Sequence, residues 1–217
     1  MSSDRQTRKR LATRQTISDV ATRLFFERGF ENVTIDEIAE AADVGRMTVF
    51  NHFPRKEDMF FDQDEEGREV LRRTLRQRDP ALGPIEVLRL LAHGAVNGAT
   101  PYLRFFPESQ RFVETVGKSE TLMARARAIR DELTQLMTVA FAESVGRGVT
   151  DPDAHLAANL LLATWTVAFL QAHLTYRQSH DAEQAKQTFL VLIDRGTIGV
   201  EAAMAGTPYA QPSPRSN

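Results

Sequence analysis

Residues 34–60 read TIDEIAEAADVGRMTVFNHFPRKEDMF, and this stretch decides the fold. It opens on Thr34-Ile-Asp-Glu37, a capping box in which the threonine hydroxyl and the glutamate carboxylate each accept a hydrogen bond from an otherwise unpaired backbone N–H. The sequence therefore predicts a short helix that starts here and ends near Ala42. The tight turn Asp43-Val-Gly follows, and aspartate tolerates left-handed backbone angles better than most residues do.

The second half of the stretch predicts another short helix, from Arg46 to about His52, because Pro54 disfavours helical angles in the residue before it. Two short helices joined by such a turn form a helix-turn-helix, with Val44 filling the angle between them. Arginine and asparagine pair with purine edges, and threonine contacts phosphate or a thymine methyl. We therefore expect DNA contacts from the polar side of this helix, which carries Arg46, Met47, Thr48, Asn51 and His52.

This stretch resembles the helix-turn-helix of the TetR family of bacterial repressors. The matching positions are Thr34, Ile38-Ala39, Val44, Thr48-Val49, His52-Phe53 and Lys56. The resemblance covers about the first 60 residues and implies a third helix in the major groove. It also implies that Thr48, Phe50 and Lys56 hold phosphates, and that Thr34 lies where the second helix meets the DNA backbone.

Three positions depart from the family pattern. Phe50 replaces a tyrosine whose hydroxyl binds phosphate, so only packing remains there. Asp43 replaces a common glycine, and Gly45 replaces a capping serine, a change that costs about a few tenths of a kcal/mol. These departures leave open which base Arg46 or Asn51 reads.

Helical spacing of apolar residues recurs along the chain, and no stretch alternates as a half-buried strand does. Besides the helices above, we predict helices at about 7–27, 55–78, 85–99, 108–116, 120–145, 152–178 and 181–205. The predicted fold is all-α. It consists of a three-helix helix-turn-helix DNA-binding domain over residues 1–54, an effector-binding and dimerisation domain over 55–205, and a disordered tail over 206–217.

The resemblance further implies that the helical body encloses an effector. Ligand pockets are mostly apolar, with a few placed polar groups. The candidate ligand-binding residues are Asn97, Tyr102, Phe105, Phe112, Met137, Trp165 and Phe169, with His93 and His173 as further polar anchors. Aromatic residues at helical spacing are also common in plain core, so that alternative stays open. We expect a small, largely apolar or aromatic effector.

The family also pairs its last two helices with a second subunit, which predicts a homodimer. The candidate interface is a stripe on the last helix made of Phe189, Leu192, Ile193, Gly196 and Val200, and the alternative is that this stripe is intramolecular core. Residues 158–174 are apolar all round, but Asn159, Gln171 and His173 interrupt them. We therefore interpret this segment as a bundle helix and not a membrane span.

Composition narrows the function classes. The chain has 217 residues, no cysteine and a formal net charge of −2, with a basic cluster between Arg5 and Arg14. It lacks a phosphate loop, nucleophile elbow, zincin motif and metal-ligand spacing, so we expect no enzyme, cofactor or metal. The N-terminus resembles no secretory signal, and a cytoplasmic location is expected.

The predicted function is a ligand-responsive repressor. As a dimer it would bind a pseudo-palindromic operator in double-stranded DNA, and a small effector would release it. The alternatives are a transcriptional activator, a ligand-independent DNA-binding protein, an architectural DNA binder and an enzyme.

Overall fold

The computed structural model describes residues 2–62, 64–98 and 103–212, and within them the chain is helical, without a strand. The all-α prediction is confirmed. The helices are α1 Ser2–Arg28, α2 Ile35–Ala41, α3 Arg46–His52, α4 Asp64–Arg76, α5 Pro84–Asn97, α6 Pro107–Gly117, α7 Glu120–Ser144, α8 Pro152–Ser179 and α9 Ala182–Ala203.

The helix predicted from about Arg55 is wrong at its start. Lys56–Met59 forms a single 3-10 turn, and α4 begins only at Asp64. The Met59 carbonyl accepts a hydrogen bond from the buried hydroxyl of Ser18 at 3.1 Å. The Met59 carbonyl thus accepts a tertiary hydrogen bond, whereas in a continuous helix it would accept one from a backbone N–H of the same helix.

The chain divides into two compact units. The first comprises Met1–Glu65 and Arg111–Ala126, so it extends beyond the predicted boundary at Pro54. Its core joins α1, α2 and α3 through residues such as Ile17, Ile38 and Val49, all fully buried. Large aromatic side chains stabilise such cores through burial and offset or edge contacts.

The second unit comprises Glu66–Gln110 and Arg127–Asn217, and α8 and α9 lie side by side within it. The two helices approach closely at Gly196, where an added Cβ would lie 2.2 Å from Cγ2 of Thr164. Only glycine allows this approach, because real Cβ contacts are never that short.

The stripe predicted as a dimer interface lies mainly in the core of its own chain, which corrects that expectation. Phe189 and Ile193 are fully buried, Val200 is 4% exposed, and Leu192 is half-buried. Gly196 contacts Thr164 of α8. A helix buried on one face shows the same periodicity whether its partner is its own chain or another, so the sequence alone left both readings open.

A different set of apolar residues on the same two helices is exposed. The large ones are Leu156, Val167 and Leu170 on α8 and Val191 and Ile198 on α9. Among the described residues, α8 is the one helix that is long and apolar enough to cross a membrane, judged by length and composition alone. Its buried alanines, including Ala168 and Ala172, pack with α9 residues in one core cluster.

The prediction of a disordered tail from Gly206 is wrong for residues 206–212. Tyr209 is fully buried, and its ring meets that of Phe141 at 6.0 Å. The Tyr209 carbonyl accepts a hydrogen bond from the N–H of Ile85 at 3.4 Å. The buried Tyr209 side chain holds this segment against the second unit, a tertiary effect that composition does not report.

Candidate nucleic-acid interface

The N-terminus of α2 carries the predicted capping box. The backbone N–H of Glu37 donates to the Thr34 hydroxyl at 3.3 Å, and Oε2 of Glu37 accepts from the N–H of Thr34 at 2.8 Å. The capping-box prediction is confirmed. The hydrogen bond from the Thr34 N–H is the main cause that lowers the pKa of Glu37 to about 2, and hydrogen bonds from Arg28 and from the Thr34 hydroxyl add to it. The carboxylate therefore stays charged and holds the helix start in place.

The turn between α2 and α3 has the expected geometry. Asp43 adopts a left-handed backbone with φ of 51°, and the N–H of Val44 donates to the Ala39 carbonyl at 3.0 Å. Gly45 precedes α3 without a side-chain cap. The turn fixes the angle between the helices by local hydrogen bonds, as a helix-turn-helix requires.

One side of α3 is open to solvent, while Val49 on the other side is fully buried. Met47 is 70% exposed, a high value for an apolar side chain. The predicted DNA-binding residues of α3 divide into exposed Arg46, Met47 and Asn51 and half-buried Thr48, Phe50 and His52. The helix thus presents donors, acceptors and an apolar group together, a combination suited to base edges in the major groove.

Arg46 has two neighbours at the start of this side. Its Nη1 lies 2.8 Å from Oδ2 of Asp36, and both side chains are more than half exposed. Its guanidinium also lies 5.6 Å from the centroid of the Phe50 ring. Exposed ion pairs are weak, so Arg46 can exchange Asp36 for another acceptor.

Arg14 positions the other end of α3, a role that sequence reasoning missed. Its Nη1 donates to the carbonyl of His52 at 2.6 Å, and its guanidinium lies 4.0 Å from the centroid of the Phe53 ring. A cation at a helix C-terminus is favourable because the last carbonyls carry partial negative charge. Burial lowers the pKa of His52, and the charges of Arg10 and Arg14 lower it further.

Lys56 does not extend toward solvent as a phosphate contact would. Its ammonium donates to the carbonyl of Phe30 and lies 4.2 Å from the centroid of the Phe30 ring. Burial lowers the pKa of Lys56. The structure therefore places this side chain inside the first unit, which corrects the role implied by the resemblance.

The sequence of this unit matches known regulators. A family model described as "Bacterial regulatory proteins, tetR family" matches residues 17–62. The HTH-type transcriptional regulator AcrR of Shigella flexneri is 48% identical over 48 residues, 22% of each chain. TcmR of Streptomyces glaucescens, also an HTH-type transcriptional regulator, is 29% identical over 190 residues, covering 76% of this chain and 83% of TcmR. These matches support a TetR-family transcriptional regulator.

The similarity in fold extends over most of the chain. SmeT in complex with triclosan superposes with a TM-score of 0.54 at 20% identity, covering 87% of this chain and 91% of SmeT. SmeT is the repressor of the Stenotrophomonas maltophilia multidrug efflux pump SmeDEF. The AcrR match, in contrast, spans only 22% of the length of AcrR.

The residues predicted to bind an effector belong to different clusters of the fold. Phe105, Trp165 and Phe169 belong to one cluster of the second unit, and Met137 belongs to another. Phe112 lies in the first unit, where its ring stacks on Phe60 at 4.6 Å. The prediction of one shared pocket is therefore wrong for Phe112, because its aromatic ring completes the core of the DNA-binding unit.

The polar residues predicted for the effector site also differ in their surroundings. Asn97 is exposed at the end of α5, where its amide donates to the His93 carbonyl at 2.9 Å, and Tyr102 lies outside the described residues. His93 pairs with Asp194 at 2.7 Å in a partly exposed network that includes Arg89. Its imidazole therefore has a structural partner already.

His173 is the polar group within the aromatic cluster. It is 2% exposed, and its ring centroid lies 4.6 Å from Phe169 and 5.2 Å from Phe105. Nδ1 lies 3.2 Å from Oε1 of Gln110, whereas the buried Nε2 has no hydrogen-bond partner in the described part of the chain. Burial lowers the pKa of His173 to about 4. The neutral ring thus offers one hydrogen-bonding nitrogen within apolar surroundings.

Proposed function

We propose that this protein is a transcriptional repressor that binds a pseudo-palindromic operator through the exposed side of α3. The observation that carries the proposal is the combination of exposed Arg46, Met47 and Asn51 with a helix held at both ends. Gly45 and the Asp43 turn fix the start of α3, and Arg14 binds its last carbonyl. Rigid presentation lowers the entropy that DNA binding would otherwise cost.

The expected contacts follow from side-chain chemistry. Arg46 and Asn51 are the proposed base readers, and Thr48 is a proposed phosphate or thymine-methyl contact. Met47 and Phe50 supply apolar surface next to them, and neutral His52 adds one donor and one acceptor. Thr34 remains a proposed neighbour of the DNA backbone, because a helix N-terminus attracts phosphate. Lys56 is left out of this set, since its ammonium is engaged within the unit.

The proposed assembly is a homodimer formed by the outer face of α8 and α9. Support comes from the exposed residues Val167, Leu170, Val191 and Ile198, each at least 50% exposed. Several large apolar side chains exposed on two neighbouring helices are typical of an interaction site. A two-fold dimer would place two α3 helices on successive half-sites, about 34–36 Å apart.

The proposed signal is a small, largely apolar or aromatic effector that binds the second unit and lowers operator affinity. The aromatic cluster supports it: Phe105 and Phe169 contact His173, and Trp165 contacts Phe189. An apolar site with one unused polar nitrogen suits such a ligand. A fold neighbour, SmeT, has been solved in complex with triclosan. By linkage, operator DNA would weaken effector binding by the same factor, about 5- to 150-fold. We place the protein in the cytoplasm and assign it no enzymatic activity.

Selection from random double-stranded DNA tests the central claim. We expect enrichment of one two-fold-symmetric sequence. Arg46→Ala and Asn51→Ala should each cost about 1–3 kcal/mol on that sequence and less on random DNA. Arg177→Ala, which removes an exposed charge from the end of α8, is the control and should leave affinity unchanged. Recovery of no preferred sequence would overturn the proposal.

The alternatives give different results in the same experiments. An architectural DNA binder would bind selected and random DNA alike. A reporter gene behind the selected sequence separates repression from activation by the sign of the change. A ligand-independent DNA binder would keep its operator affinity in the presence of every compound that binds the second unit.

A further inference from the structure

A cavity of about 920 Å³ lies in the second unit between α4 and α7. Its volume falls within the range of small-molecule sites. Its lining includes none of the residues predicted for the effector, and its chemistry differs from that of the aromatic cluster around His173. The cavity is lined by Arg68, Arg72, Leu75, Arg76, Arg78, Pro80, Glu132, Gln135, Leu136, Val139, Ala140, Glu143 and Ser144.

The charges of this cavity do not balance. Four arginines and two glutamates line it, which leaves an excess of two positive charges. Arg68, Arg72 and Arg76 follow each other at intervals of four residues, so they form one row on α4. Like charges at this spacing destabilise a helix by mutual repulsion, and an anion beside the row would relieve it.

Three of the four arginines already have partners within the chain. Arg68 forms an ion pair with Glu132 at 2.6 Å, and its side chain is 11% exposed. Arg78 donates to the carbonyls of Leu82 and Ser144, at 2.8 and 3.0 Å. These contacts hold α4 and the connection after it against neighbouring parts of the unit. Arg72 pairs with Glu69 of the same helix at 3.4 Å, a long and partly exposed contact that a ligand can replace, and Arg76 is exposed at the cavity.

The α7 side of the cavity adds an apolar surface. Leu136 and Ala140 are half-buried, and Val139 is 36% exposed. Residues spaced three and four apart share one face of a helix, so these three form a continuous apolar strip. The cavity thus combines an apolar wall with a cationic row.

We propose that the α4–α7 cavity binds a small amphipathic anion, with a carboxylate or phosphate head on Arg72 and Arg76 and an alkyl or aryl body on Leu136 and Val139. Guanidinium groups bind both head groups through paired, charge-assisted hydrogen bonds. The apolar body would cover the strip on α7 and remove it from water.

Isothermal titration calorimetry on the full chain tests ligand binding at this cavity. Because no DNA is present, a negative result here is distinct from a failure to bind the operator. The probes are decanoate, decyl phosphate, decanol and decylammonium, each below its aggregation concentration. We expect at least one of the two anions to bind about tenfold or more tightly than decanol and decylammonium. The preference between decanoate and decyl phosphate identifies the head group.

Substitutions in the cavity lining identify the residues that bind the anion. Arg72→Gln and Arg76→Gln should each weaken the preferred anion about tenfold. Val139→Glu should also weaken it, and Val139→Leu should not. The matched control is Arg130→Gln, which removes an exposed charge from α7 away from the cavity lining. Equal binding of decanol and the anions, no binding by any probe, or an equal effect of the control would overturn the proposal. Thermal melting of each variant verifies that it is folded.

Discussion

Nη1 of Arg46 lies 2.8 and 3.0 Å from the two carboxylate oxygens of Asp36, across the turn between α2 and α3. The proposed base reader is therefore held by an acid of the neighbouring helix while DNA is absent. Binding to DNA requires an exchange of partners, from Asp36 to a base or a phosphate. Both side chains are well exposed, so the exchange costs little.

Asp36→Asn should raise affinity for DNA of any sequence about two- to fivefold, because it weakens the competing pair and removes a negative charge close to the phosphates. Fluorescence anisotropy on operator and random duplexes measures this change. Glu40→Gln removes an exposed charge from the same helix without touching the Arg46 pair. If Glu40→Gln raised the affinity for DNA equally, the gain would come from the loss of a negative charge near DNA and not from the release of Arg46.

Lys56→Met should lower the free energy of unfolding by about 1–3 kcal/mol, because the Phe30 carbonyl loses its charged donor. Urea denaturation measures the loss. Well below the melting temperature, the slope of log affinity for DNA against log salt should stay unchanged. A slope reduced by about one would instead mean that Lys56 neutralises a phosphate.

Gly196→Ala should destabilise the protein by about 1–3 kcal/mol, since the new methyl group would overlap the side chain of Thr164. Thr164→Ala removes the atoms concerned and should restore much of the loss. A double-mutant cycle in urea, at fixed protein concentration, measures the coupling between the two positions. Additive effects would contradict the close packing of α8 on α9.

Ile198→Glu and Val167→Glu should each convert the proposed dimer to a monomer, because they place a charge on the exposed apolar face of α8 and α9. Light scattering at micromolar concentration reports the change, and circular dichroism should show that the helices remain. Val149→Glu, at a position 55% exposed outside both helices, serves as the control and should stay dimeric. A monomeric parent protein would contradict the assembly itself.

The pKa of His173 predicts a pH dependence of stability. Burial holds this pKa at about 4 in the folded protein, against an ordinary value of 6.5. Between these values the unfolded chain binds a proton that the folded chain does not, so the free energy of unfolding falls as pH drops from 6.5 to 4. The contribution is about 2–3 kcal/mol. His173→Gln should flatten the profile in this window, measured by urea denaturation at pH 7, 5.5 and 4.5. If the unfolding free energies of the parent protein and His173→Gln changed with pH in parallel, His173 would not be the cause of the pH dependence.

Local signals in the sequence were sufficient for the helix-turn-helix. The capping box at Thr34 and the left-handed turn at Asp43 depend only on neighbours within a few residues, and the structure has both. The start of α3 at Arg46 and its end at His52 also match the prediction, because a glycine before the helix and a proline after it mark its limits.

Long-range packing decided what the sequence left open. Arg14 reaches a carbonyl 38 residues away, and no pattern near position 14 indicates that contact. The inward direction of Lys56 depends on where the Phe30 carbonyl lies after folding. For the stripe around Phe189, periodicity identifies a buried face but not the partner that buries it. The structure assigns that face to α8 of the same chain.

The buried ring of Tyr209 also bears on how this protein can be handled. Its segment packs along the start of α5, where an added Cβ at Gly83 would lie 3.2 Å from the backbone of Ala210. Ending the chain after α9 is a natural choice for crystallisation or spectroscopy. This cut would remove the segment that carries Tyr209. It would also remove Met204 and would expose Phe141, a residue of the same core cluster, to water. A shortened version should therefore retain at least residue 210, and a protease-resistance assay would reveal a cut placed too early.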